Sequence, residues 1–126
     1  MDIRHSDDKV RIKRAGRILE RAKEIGERRN VKVVSHPISE DPSVTSAPGL
    51  VSLLATAVEE CGLPVLHLAS GAGHDVVPMS TLTDVAMLFV RCKGGVSHNP
   101  AESVEAEDVA VSIDVLGRFL ELLATA

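Results

Sequence analysis

Gly71-Ala72-Gly73-His74-Asp75, then Val85-Ala86-Met87-Leu88-Phe89-Val90, then Gly94-Gly95-Val96-Ser97-His98-Asn99-Pro100-Ala101-Glu102 is the stretch that decides how this sequence reads. Two glycine turns each deliver a histidine, and an apolar run of strand length lies between them. Such a run, apolar throughout, is what a strand covered on both faces requires. Loops at the C-terminal ends of strands in an open α/β sheet are where ligands bind.

Downstream the chain reads as one helix. Val109, Ile113, Leu116, Leu120 and Leu123 repeat at i, i+4, i+7, i+11 and i+14, the cleanest periodicity in the sequence. Glu105, Glu107 and Asp108 crowd its first turn, where negative charge suits the dipole. Upstream, Val65–Ala69 reads as a buried strand, and Val76–Asp84 as loop with a helical turn. Pro48-Gly49 opens a helix with Leu50, Leu53, Leu54, Ala57, Val58 and Cys61 on one face. Gly62 stands where a C′ glycine belongs, and Pro64 stops any continuation. Residues 39–48, with Pro42, Pro48 and several small polar side chains, read as a connection between two lobes. Before it come a short strand, Val31–Ser35, and a helix capped by Ser6, with Ala15, Ile18, Leu19, Ala22 and Ile25 on its apolar face. The pattern is α/β. One helix with one or two strands cannot bury both its faces, so the first lobe calls for more chain or a second copy.

The 126 residues suit one domain or two small lobes. Aromatics are 2% of the chain and the formal charge is −4. Base stacking has little material here, and a phosphate backbone would be repelled, so no nucleic-acid partner is expected. The basic stripe Arg11, Lys13, Arg14, Arg17, Arg21 and Lys23 reads as a solvated helix face. No apolar run approaches the roughly 20 residues of a membrane span, and Met1–Arg14 lacks a signal-peptide core. Cys61 and Cys92 are far apart and read as small buried hydrophobes. A soluble, cytoplasmic protein is expected.

His98 leaves two readings open. One is a loop histidine hydrogen-bonded to backbone, the other a metal ligand. His74 sits in the equivalent place after the preceding strand. No HxxH or HxD pair accompanies them, and zinc takes three or four protein ligands. Phosphate loops, nucleophile elbows and dinucleotide fingerprints are absent.

These residues carry a resemblance. Ser70–Asp75, Met87–Val90, Gly94–Glu102 and Glu107-Asp108 together resemble the C-terminal part of the carbamoylase and allantoate amidohydrolase branch of the M20 metallopeptidase-like family. Asp2-Ile3-Arg4-His5 resembles that family's strand leading into a helix of its dimerisation lobe. Within the resemblance, residues 1–40 are part of the dimerisation (lid) lobe. Residues 41–126 are the last strands and helix of the α/β catalytic lobe.

The resemblance implies hydrolysis of a C–N bond in a carbamoyl, ureido or amidine substrate that bears a carboxylate. It implies His98 as a metal ligand and His74 as the residue that holds the scissile group and stabilises the oxyanion. Gly73 is implied as a backbone contact to the substrate carboxylate. Arg4 is implied as the arginine that clamps it, reaching across a dimer; bidentate guanidinium–carboxylate pairing suits that role. The complete family site holds two divalent metals, zinc or manganese, and a general-base glutamate. The other ligands and that glutamate belong to an N-terminal half not found in these residues. Three expectations follow: the chain alone holds metal weakly and is inactive; it pairs with a missing N-terminal part or self-associates; or it serves as a non-catalytic α/β oligomerisation module. A peptidase-type member is the weaker alternative, since the Gly71–Asp75 motif speaks against it.

Overall fold

Asp7 starts the first helix. Its carboxylate accepts the N–H groups of Lys9 (2.8 Å) and Val10 (3.3 Å), two of the donors that a helix start leaves unpaired. The cap is therefore one residue later than the Ser6 expected from the sequence. The computed structural model describes residues 1–126. It divides into two units: Met1–Thr45 with Ala69–Gly73, and Ser46–Leu68 with His74–Ala126.

The first unit is built on α1 (Asp8–Arg28). Asp8, in its first turn, joins the helix to the connection that follows. One oxygen accepts from Arg11 Nε (3.0 Å), and the other accepts the backbone N–H of Ser43 (3.0 Å). The Ser43 bond and then Arg11 hold this carboxyl below its ordinary range. At the other end Asn30 takes a positive φ of 51°. Val31 then returns its N–H to the Gly26 carbonyl (2.8 Å). Gly26 is buried there, and a Cβ on it would lie 2.6 Å from both the Val31 oxygen and Val33 Cγ2. Only glycine lets the chain fold back over this helix end.

The second unit rests on α2 (Pro48–Glu60) and α4 (Ala106–Ala124), which pack on each other. Pro48 occupies the first turn of α2, where no N–H is needed. The C-terminus closes as a Schellman motif. Gly62, at φ +75°, donates to Glu59 (2.9 Å), and Leu63 donates to Val58 (3.1 Å). The expected role of Gly62 is thus observed. Leu54, Ala57, Val85 and Val115 form the core. Arg118 of α4 ties the two helices, bonding Glu60 of α2 and, at 2.8 Å, Glu121 of its own turn. α3 (Val76–Met79) is the helical turn expected between His74 and the apolar run.

Three expectations need correction. The periodic stripe Val109, Ile113, Leu116, Leu120, Leu123 does not pack. Ile113 is 62% exposed and Leu120 60%, whereas Val115 is 2% exposed. The better-covered face is the neighbouring one: Asp108, Ser112, Val115, Phe119 and Leu122, each a residue earlier in the repeat and buried or half-buried.

The α/β expectation holds only in its helical half. None of Val31–Ser35, Val65–Ala69 and Val85–Val90 forms a strand. No backbone hydrogen bond joins 65–69 to 85–90; the Val85 carbonyl is taken instead by the Ala47 N–H (2.8 Å). A strand exists only through its ladder, so an extended segment without a paired neighbour is not one. The cysteines are half-buried rather than core, and both are free thiols.

Candidate functional site

In the first unit, Arg4 meets the first glycine turn. Its Nη1 donates to the Gly71 carbonyl (2.6 Å), across 67 residues of chain. Its Nε and Nη2 donate to one oxygen of Asp2, at 2.9 and 2.5 Å. That bond keeps the Asp2 carboxyl below its usual range and Arg4 above its own. A guanidinium has five N–H donors, so these three bonds leave two for a ligand. The turn itself lies open: a Cβ built at Gly71 or Gly73 meets no atom within 4 Å. Ser70 Oγ holds its shape, accepting from the Ala72 N–H (3.1 Å). The structure thus sets Arg4, expected to clamp a carboxylate across a dimer, against Gly71 of its own chain, two residues before Gly73.

In the second unit, His74 is exposed, and its ring stands edge-on to Phe89, with centroids 6.5 Å apart and planes at 75°. His98 is exposed as well, on a loop closed by its own bonds. Gly94 and Gly95 turn it at φ +63° and +70°. The Lys93 N–H reaches Ser103 O (2.8 Å), and Arg91 and Lys93 pair with Asp108 and Glu105 at 2.6 and 2.9 Å. His98 takes φ +55°, a left-handed conformation that costs a non-glycine residue roughly 1 kcal/mol. Its N–H donates to Glu102 Oε2 (2.8 Å). Glu102 is the residue that reading by spacing undervalued. Its signal was there, in a carboxylate four residues after a histidine in Asn99-Pro100-Ala101-Glu102.

The comparisons with known proteins now decide the family. The sequence profile of peptidase family M20/M25/M40 matches residues 5–122. The chain belongs to this family. It is 35% identical to an N-carbamoyl-L-amino-acid amidohydrolase of Rhizobium meliloti over 126 residues, all of this chain and 30% of that protein. It is 34% identical to an N-carbamoyl-L-amino acid amidohydrolase of Geobacillus stearothermophilus over 92% of this chain and 28% of that protein. A probable allantoate deiminase of rice (Oryza sativa subsp. japonica) is 48% identical over 71 residues, 56% of this chain and 14% of that protein. The M20 chain therefore spans less than a third of the length of these relatives.

Enzymes of the M20 family generally use divalent metals. The residues present do not make such a site. No group of three or more His, Cys, Asp or Glu side chains is placed to hold a metal ion. Both oxygens of Glu102, the carboxylate nearest His98 in the loop, are already engaged, by the His98 N–H and by Cys92 Sγ (3.7 Å). No helix is long and apolar enough to cross a membrane.

Proposed function

We propose that this M20 chain supplies the carboxylate-recognition part, and one share of the reaction centre, of an amidohydrolase. Its substrate is an N-carbamoyl amino acid or allantoate-like molecule: a carbamoyl or ureido C–N bond beside a carboxylate. The observation that carries the reading is the Arg4–Gly71 hydrogen bond, which sets a guanidinium against the open glycine turn. Such a fork and an accessible peptide backbone are what a carboxylate binds. Similarity along the whole of this chain to 30% of an N-carbamoyl-L-amino-acid amidohydrolase supports it.

In this proposal Arg4 and the Gly73 backbone orient the carboxylate, and His74 donates to the oxygen that gains charge as water adds to the carbon. His98 is one protein donor to a divalent metal, zinc or manganese, whose other donors lie outside these residues. Residues 1–40 act as part of a dimerisation lobe and 41–126 as part of a catalytic lobe, in a cytoplasmic protein.

Completion by further polypeptide, or by a second copy, is part of the proposal. An apolar groove of about 680 Å³ in the second unit, lined by Val58, Leu66, Leu68, Phe89, Val90 and Val111 among others, supports it. So does the uncovered stripe of α4. These same features favour the second reading, a non-catalytic oligomerisation module.

Ammonia release from N-carbamoyl-L-amino acids and allantoate, with Zn²⁺ or Mn²⁺, tests the proposal. It is measured on this chain alone and on this chain mixed with a polypeptide supplying the remainder of an M20 relative. Release by the mixture and not by the chain alone is the expected result. Release by neither, with self-association of the chain, would establish the module. Dipeptide hydrolysis in place of ammonia release would establish a peptidase.

A further inference from the structure

We propose that Glu102 is the positioning residue that fixes His98. The inference rests on the reading of His98 as a functional donor and extends it to the residue that aims it. His98 is one of two non-glycine residues with positive φ, at +55°. Such a conformation persists where its surroundings over-determine it. Here they do. The Glu102 N–H donates to the Asn99 carbonyl (2.8 Å), and Asn99 Oδ1 accepts the Ala101 N–H (3.0 Å). This tight turn carries the Glu102 side chain back onto its own loop, where Oε2 accepts the His98 N–H (2.8 Å).

The second carboxylate oxygen accepts from Cys92 Sγ (3.7 Å) at the start of the loop. One side chain therefore bridges the loop's entry and its apex. The nearby cations do not compete for it, since Arg91 is taken by Asp108 and Lys93 by Glu105. A charge-assisted bond to a backbone N–H is among the stronger hydrogen bonds. Holding that N–H fixes the peptide plane before His98, and with the left-handed φ it fixes the direction in which the imidazole leaves the loop. His98 is exposed, so packing does not set where its Cα–Cβ bond points, and the backbone does.

Amide hydrogen exchange on the ¹⁵N-labelled chain tests this without any turnover. The His98 amide is followed in the wild type, Glu102→Ala and Glu102→Gln, with the Val115 amide of α4 as reference. In Glu102→Ala, His98 exchange is expected to rise roughly tenfold or more while Val115 is unchanged, as for loss of a local bond. In Glu102→Gln protection is expected to return, because the amide oxygen accepts the same N–H. Unchanged His98 exchange in Glu102→Ala overturns the proposal, and so does equal loss of protection in both variants. The two readings fail separately. A completed enzyme that releases no ammonia would sink the amidohydrolase function and leave this assignment, whereas the exchange result decides Glu102 alone.

Discussion

Arg4 and Gly71, 67 residues apart in sequence, share a 2.6 Å hydrogen bond from guanidinium to carbonyl. Asp2 holds the same guanidinium from the other side. On the proposed reading this anchored group would bind the substrate carboxylate of a completed enzyme, so its loss would weaken substrate binding more than it slows chemistry. Arg4→Ala is expected to raise KM for an N-carbamoyl amino acid roughly 100-fold, the scale of one charged hydrogen-bonded pair, with kcat changed far less. Arg4→Lys keeps the charge but cannot bridge Asp2, Gly71 and a ligand together, and recovers little. A decarboxylated substrate should not distinguish the variants. Steady-state kinetics on both substrates checks this, and equal effects on them would remove Arg4 from carboxylate binding.

Helix ends were legible in this sequence because their chemistry is local. Pro48, Gly62 and Pro64 say where α2 starts and stops without reference to anything else. The strands were not, because pairing is a property of two segments. Val65–Ala69 and Val85–Val90 have strand composition, yet no backbone hydrogen bond joins them. The packing face of α4 was misread for a related reason. Two adjacent stripes share one helix: periodicity picks the wholly apolar one, while the better-covered one begins with Asp108 and Ser112 and so carries a weaker apolar signal. At the site, His74 and His98 stood out by their glycine turns, whereas Arg4 and Gly73, and the role of each residue, entered only through family resemblance. Glu102 was visible only as a carboxylate near a histidine. Its use depends on a turn that spacing does not reveal.

The two stripes of α4 make opposite predictions. Val115 is 2% exposed against α2, so Val115→Ala removes packed atoms and should cost about 2 kcal/mol. For a unit of this size that lowers Tm by several degrees. Ile113, at 62% exposure, should tolerate Ile113→Ala within roughly 0.5 kcal/mol in the monomer. If a second copy or a complementary polypeptide covers this stripe, Ile113→Glu should abolish that association and leave helicity intact. Thermal melts by circular dichroism and sedimentation velocity separate the two effects.

Acid should loosen the α2–α4 pair through Glu60. Its bond to Arg118 holds the Glu60 carboxyl below its ordinary value of 4.5. A carboxyl depressed in the folded state contributes stability that is fully present above the unfolded pKa. That stability is lost as pH falls through the folded one. The Tm difference between wild type and Glu60→Gln should therefore be level from about pH 7 to 5 and shrink as pH drops below about 4. The pair is exposed, so the difference should also shrink in roughly 1 M salt. A difference that grew on acidification would show that the bond does not stabilise the fold.

Gly26 offers the sharpest test of the first unit. Replacing a helical glycine by alanine ordinarily stabilises, by roughly 1 kcal/mol. Here the new Cβ would sit 2.6 Å from the Val31 oxygen and from Val33 Cγ2. The valine side chain could turn away, but the carbonyl belongs to the backbone that folds back over the helix. Separating them breaks the 2.8 Å bond from Val31 N to Gly26 O. Gly26→Ala should thus destabilise the unit by roughly 1–3 kcal/mol, as overpacking does. The Val31 amide should lose its exchange protection, while helicity in the middle of α1 persists. Gly16, where a Cβ meets nothing within 4 Å, is the control. Gly16→Ala should raise Tm, because there the helical preference acts unopposed.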